Sequence, residues 1–128
     1  MLRRPYHKFF NVGENQETLL ENIDWSREFV VLRKLDGSMV SPLLYYGCLI
    51  WATKKSTEGQ AEEAAKFAQD NPEYEEFSAS LLKQRLNPIF EWVSPTNRIV
   101  VSYTKPRLIL TAIRNIEDGS YFTYSRMQ

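Results

Sequence analysis

Lys34-Leu35-Asp36-Gly37-Ser38 stands between two apolar runs and constrains the chain more than any other stretch. Phe29-Val30-Val31-Leu32 before it reads as a buried strand, and a second run leaves it at Met39. Asp-Gly is a strong turn signal, and the glycine lets a ligand approach the backbone closely. The pattern predicts a sheet in which a lysine ends one strand and a tight turn opens the next.

The rest of the chain supplies the partners for such a sheet. Residues 28–34 read as the first strand, with 39–46 and 48–53 as a hairpin turning near Tyr46-Gly47. The first 25 residues mix aromatic and polar side chains and predict loops or a short strand. Residues 61–68 have high helix propensity. Asn71-Pro72 breaks that helix and opens another, in which Phe77, Leu81, Leu82 and Leu86 recur at helical spacing. Strands then follow at 88–93, 98–103 and 108–113, with a turn at Asp118-Gly119 and a last short strand at 121–124. This order predicts an α+β fold, a mostly antiparallel twisted sheet with a central helical insertion. No linker or repeat divides the 128 residues, so one domain is expected.

Composition removes several classes of function. Sixteen basic and sixteen acidic residues cancel, so any site for a polyanion must be local. One cysteine, Cys48, and one histidine, His7, rule out an internal disulfide, a cysteine-rich zinc site and a histidine-clustered metal site. No metal-ligating residues are assigned. No apolar run is long enough to span a bilayer. The expectation is a soluble protein of a reducing compartment, the cytoplasm, with no membrane partner.

Three features carry chemistry. A free lysine amine is mostly protonated at neutral pH, so Lys34 acts as a nucleophile only if cations, a metal or desolvation lower its pKa. Glu91 interrupts the apolar strand Phe90-Glu91-Trp92-Val93, and alternation sets Glu91 and Val93 against Phe90 and Trp92. A carboxylate there must be paired, face a cleft or face water. Lys54 and Lys55 close the hairpin strand beside Thr53 and Ser56, a group suited to phosphate or to plain solvation. Arg3, Arg4 and Lys8, interleaved with Tyr6, Phe9 and Phe10, form a second basic cluster, and Met39 reads most simply as core.

These features fall in one order along the chain, and that order resembles a known family. Lys34-Leu35-Asp36-Gly37-Ser38 resembles the nucleophile motif of the covalent nucleotidyltransferases. Arg4-Pro5-Tyr6-His7-Lys8-Phe9-Phe10-Asn11 is similar to the Arg-Pro-x-x-Lys-Phe-Phe-Asn segment of phage-type RNA ligases of the RNA ligase 1 family. Trp51-Ala52-Thr53-Lys54 and Phe90-Glu91-Trp92-Val93-Ser94-Pro95-Thr96-Asn97-Arg98-Ile99-Val100 resemble two further motifs of that family, and the strand from Leu108 to Arg114 resembles the one after. The resemblance spans about Arg4 to Tyr124.

The resemblance implies ATP-dependent joining of an RNA 5′-phosphate to a 3′-hydroxyl through a lysyl-AMP intermediate, supported by magnesium. It implies Lys34 as the nucleophile, Lys8 and Lys54 as phosphate-side cations, and Glu91 on the ribose or a metal-linked water. Asp36 and Gly37 shape the turn, and Asn97 and Arg98 are weaker candidates. Lys34, Lys54 and Glu91 should then converge on one cleft.

The chain departs from the family pattern at both ends. An upstream Arg-Gly motif, downstream Glu-Gly and Lys-x-Lys motifs and a C-terminal RNA-specificity domain have no counterpart in these 128 residues. The expectation is a partial adenylyltransferase domain, weak or inactive alone, that works with a missing C-terminal portion or a partner chain. The alternatives are a non-catalytic nucleotide- or RNA-binding module and a relic interaction domain.

Overall fold

The computed structural model describes residues 3–95 and 105–127. Strands β1 (Ser38–Tyr45), β2 (Cys48–Ala52), β3 (Leu86–Val93) and β4 (Arg107–Asn115) form one antiparallel sheet in the order β2-β1-β3-β4. Helices α1 (Gln60–Asp70) and α2 (Pro72–Lys83) are inserted between β2 and β3, as the sequence predicts, and a short helix α3 (Tyr124–Met127) closes the described chain. The β1–β2 hairpin turns on Tyr46 and Gly47, both at positive φ, the backbone that a two-residue hairpin requires.

The two helices form for different local reasons. α1 carries Glu62 and Glu63 in its first turn and buries Ala61, Ala64 and Ala68, a stripe of small side chains that brings it close to the sheet. Asn71 leaves helical geometry and its side chain donates to the Phe67 carbonyl at 2.9 Å. Pro72 then takes the first position of α2, where its missing N–H costs nothing. Both helices lie on one face of the sheet. Val40, Trp51, Phe90, Trp92 and Leu108 meet Ala64 and Ala68 there in a continuous buried core.

The other face of the sheet is covered by chain that precedes β1. Asn87, fully buried in β3, accepts from the Arg4 amide at 2.6 Å and donates to the Pro42 and Pro88 carbonyls. Arg114 donates to the Pro5 carbonyl, and the Tyr121 hydroxyl accepts from the His7 amide at 3.0 Å. These bonds fasten residues 4–7 across the end of the sheet. Residues 16–22 form two short 3-10 turns, the first with a capping box between Asn15 and Thr18.

Two sequence expectations are corrected. Residues 28–34 are not a buried strand: Phe29, Val30, Val31 and Leu32 are exposed, Val31 to 84%, and no regular ladder includes them. A strand exists through its neighbours. β1, the strand this run leads into, is already flanked by β2 and β3, so the run cannot pair beside it. Four consecutive apolar residues also need cover on both faces, which the described residues do not supply. Lys34 therefore lies on an extended arm leading into β1, not at a strand end. Second, only Tyr121 makes a β-bridge, to Arg114, and residues 124–127 turn into α3. The strand expected at 98–103 lies outside the described residues.

Gly37 marks where the arm meets the sheet. A Cβ there would stand 2.1 Å from the Trp92 carbonyl oxygen and 3.1 Å from Val93 Cγ1. Gly37→Ala should lower the unfolding free energy by about 1–3 kcal/mol, the range for forcing extra volume into a packed site. Gly47→Ala, at positive φ but with open space around it, should cost about 1 kcal/mol through backbone strain alone. Urea unfolding of both variants separates steric overlap from conformational strain.

Candidate active site

The arm, residues 6–9 and the outer face of the sheet enclose a cavity of about 760 Å³. Alternation along β3 decides what faces it. Phe90 and Trp92 point into the core with the helices, so Glu91 points the opposite way, as the sequence predicts. Met39, Ile109 and Thr111 join it from β1 and β4, and Lys34, Arg33, Leu32 and Leu35 come from the arm. Tyr6 and Phe9 close the wall from the N-terminal segment, their rings edge to face at 5.9 Å.

Glu91 is half-buried, and that burial pushes its pKa above the ordinary carboxylate value. The Gly37 N–H, donating to the carboxylate, and the positive charge of Lys34 pull the other way, while Asp36 adds to the rise. Lys34, Asp36, Gly37 and Glu91 are therefore one electrostatic group. Burial also pushes the Tyr6 pKa upward, with Thr111 pulling the other way.

Lys54 does not line this cavity. It lines two adjoining depressions, one with Arg3, Lys55 and Ser56, the other with Ser38, Met39 and Gln60. Met39 borders both the second depression and the main cavity, and the cavity brings together Lys34 and Glu91 but not Lys54. The Lys54-Lys55 turn is held by the Thr53 amide donating to the Ser56 carbonyl at 2.8 Å and by Arg3 donating to the Thr53 carbonyl at 2.8 Å. Lys8 is not among the cavity-lining residues; its ammonium lies 5.3 Å from the Phe10 ring centre on an exposed part of the chain. Asn97 and Arg98 lie outside the described residues. Among the described residues, no cluster of three or more His, Cys, Asp or Glu could hold a metal ion.

Sequence reasoning missed the cavity roles of Tyr6, Arg33, Met39 and Thr111. Met39 had read as core, and it is a half-buried cavity wall instead. Tyr6 had a signal, its place inside the Arg-Pro-x-x-Lys segment. Thr111 had none, because it is placed by an irregularity of the β3–β4 ladder.

The chain is also similar to known proteins. A family model for RNA ligase matches residues 1–128. The chain is 35% identical over 122 residues to a putative RNA ligase of Thermovibrio ammonificans, covering 94% of this chain and 32% of that protein. It is 30% identical over 128 residues to RNA ligase 1 of Bacteriophage TS2126, again covering 94% of this chain and 32% of the relative. The chain belongs to the RNA ligase family. It spans about a third of the length of the relatives it matches. No helix among the described residues is long and apolar enough to cross a membrane.

The upward shift of Glu91 has a definite consequence for stability. A carboxylate whose folded pKa is raised supports folding fully below its unfolded value, near 4.5, and loses that support as pH rises through the folded value. Ionised Glu91 is therefore a net cost at neutral pH. Glu91→Gln keeps an acceptor for the Gly37 N–H, so it should raise the thermal midpoint at pH 7. That advantage should vanish toward pH 4. An advantage that stayed constant across this range would contradict the assignment.

Proposed function

We propose that this chain is the nucleotide-binding part of an ATP-dependent RNA ligase and that Lys34 is its nucleophile. The observation that carries the reading is the shared cavity of Lys34 and Glu91, walled by aromatic and aliphatic side chains, in a member of the RNA ligase family. Flat apolar walls suit a purine, a carboxylate suits the hydroxyls of a ribose, and an amine at the mouth reaches the phosphates.

In the first step the Lys34 Nζ, as the free amine, attacks the α-phosphorus of ATP. An N–P bond forms, the bond to the bridging oxygen breaks, pyrophosphate departs, and the nitrogen gives up a proton. Arg33, beside Lys34 on the arm, adds a second cation to the same wall of the cavity. Lys54 and Lys55, which line two further depressions, would meet the outer phosphates as point charges. Glu91 holds the sugar, and the contact to Gly37 fixes its orientation. AMP then passes to an RNA 5′-phosphate, and a 3′-hydroxyl displaces it to seal the strand. These later steps are proposed for the ligase as a whole, since this chain spans about a third of its relatives' length. Lys8 is assigned to the phosphate side by its motif alone.

The donor set fits magnesium in one way. Magnesium keeps several waters and is commonly held by one or two carboxylates together with substrate phosphates. Asp36 and Glu91 are the two carboxylates that interact here. Bound there with ATP, the ion would neutralise charge on the phosphates and support transfer at the α-phosphorus.

Incubation with α-labelled ATP and magnesium, followed by peptide mapping, tests the reading. Label should appear on Lys34, disappear in Lys34→Ala and fall about 10²–10³-fold in rate in Lys54→Ala if that cation stabilises transferred charge. Label on another lysine, or undiminished label in Lys34→Ala, would remove Lys34 from its role.

A further inference from the structure

Arg3 crosses from the N-terminal segment onto the β1–β2 hairpin, where its Nη2 donates to the Thr53 carbonyl at 2.8 Å. It is half-buried there, and burial lowers its pKa without removing its charge. With Lys54, Lys55, Leu43 and Ala52 it lines a depression of about 510 Å³, in which Glu58 supplies the one carboxylate. Three cations therefore meet one anion, and among the described residues none of the three makes an ion pair. In a chain whose charges cancel, this is a local positive field.

The cations are also held in place. The Thr53 amide donates to the Ser56 carbonyl at 2.8 Å, the Ser56 amide to the Thr53 hydroxyl at 3.2 Å, and the Glu58 amide to the Ser56 hydroxyl at 2.9 Å. The Thr53 carbonyl occupies one N–H of Arg3 and leaves the rest of its fork of donors for an anion. Position then favours one kind of anion. By alternation Met39 and Leu43 stand on the same face of β1, roughly 13 Å apart at the usual rise of a strand. Met39 lines the candidate active site and Leu43 the Arg3 depression, so both open on that face, yet they share no lining residue. The depression beside Ser38 shares Lys54 and Lys55 with the one and Met39 with the other. The outer phosphates of a nucleotide held at Glu91 come to that nearer depression first. An anion seated at Arg3 lies further out, and a polynucleotide, with a phosphate on every residue, supplies it.

We propose that Arg3, together with Lys54 and Lys55, forms a seat for a backbone phosphate of the RNA strand, outside the nucleotide cavity. Arg3 grips the phosphodiester through its fork, and the lysines neutralise it as point charges. The proposal rests on the reading of the chain as part of an RNA ligase and is independent of the role given to Lys34.

A short oligouridylate with hydroxyls at both ends carries backbone phosphates and no terminal one. The chain is titrated with it, and separately with ATP, at several salt concentrations and followed by ¹⁵N amide shifts. The oligouridylate should move the amides of Thr53 to Glu58, and its log affinity should fall with log salt by about 0.7 for each phosphate neutralised. Arg3→Gln keeps a donor for the Thr53 carbonyl and removes the charge. It should weaken the oligouridylate about five- to tenfold, flatten the salt slope by about 0.7 and leave ATP within about twofold. Arg3→Lys, a charge without the fork, should restore the slope and only part of the affinity. Glu58→Gln should tighten the oligouridylate about twofold by removing the opposing charge. Lys83→Gln, at the end of α2 on the other face of the sheet, takes away one charge and should leave the oligouridylate within about twofold. The amide spectrum shows that each variant is folded. An affinity and slope unchanged in Arg3→Gln, or an equal loss in Lys83→Gln, would overturn the proposal and leave the nucleotide reading standing. Equal weakening of ATP and oligouridylate in Arg3→Gln would give the depression to the nucleotide and overturn it as well. Absence of ATP binding, with the oligouridylate behaving as expected, would overturn the nucleotide reading alone and support this one.

Discussion

The seam between Gly37 and β3 is the contact on which the remaining structure depends. The Gly37 backbone lies so close to the Trp92 carbonyl that no side chain fits between them, and its N–H donates to Glu91. This brings an irregular arm against a regular strand without a ladder. Were the two held apart by even a methyl group, the arm would lift from the sheet, Lys34 would leave Glu91, and the cavity would lose one wall. A glycine is required here by space and not by φ, because the tight approach is made from ordinary backbone geometry.

β3 shows how one strand serves two purposes. Its even-numbered residues Phe90 and Trp92 lie in the core with the helices, and Glu91 between them faces the cavity. The two roles are mechanically coupled, because alternation is rigid: a one-residue slip would bury the carboxylate among aromatic rings and expose Trp92. The register is held on both sides, by Met39 opposite Glu91 in β1 and by Ile109 opposite it in β4. Fully buried Asn87 further along the same strand ties the N-terminal segment down. Core packing thus sets the position of the candidate catalytic groups as well as the stability of the domain.

Features determined by nearby residues were legible from sequence, and features determined across the chain were not. The β1–β2 hairpin follows from Tyr46-Gly47, and the helix break from Asn71-Pro72. The facing of Glu91 follows from simple alternation. The run Phe29–Leu32 has strand composition, but strand formation depends on an edge, and its residues carry no information about whether one is free. Tyr6 reaches the cavity because Asn87 and Arg114, more than eighty residues later, hold its neighbours, and Lys8, two residues on, is outside that clamp. Thr111 is aimed by a bulge, which an alternating apolar strand does not announce. Lys54 lies between these cases: its turn is local, but its distance from Lys34 is set by the packing of β1 against both its neighbours.

The electrostatics of the cavity also bear on why such a site persists. Glu91 is disfavoured as an anion by burial and by Asp36, and the offsets from Gly37 and Lys34 do not restore its ordinary pKa. A domain selected for stability alone would place an apolar residue there, as it does at Phe90, Trp92 and Val93 around it. The carboxylate is partly withdrawn from solvent. A ligand that donates hydroxyl hydrogen bonds to it gains more than it would in water, because the acceptor is already fixed and partly stripped of solvent. On the proposed reading, the stability given up at Glu91 would become selectivity for a ligand with hydroxyl donors, as a ribose is.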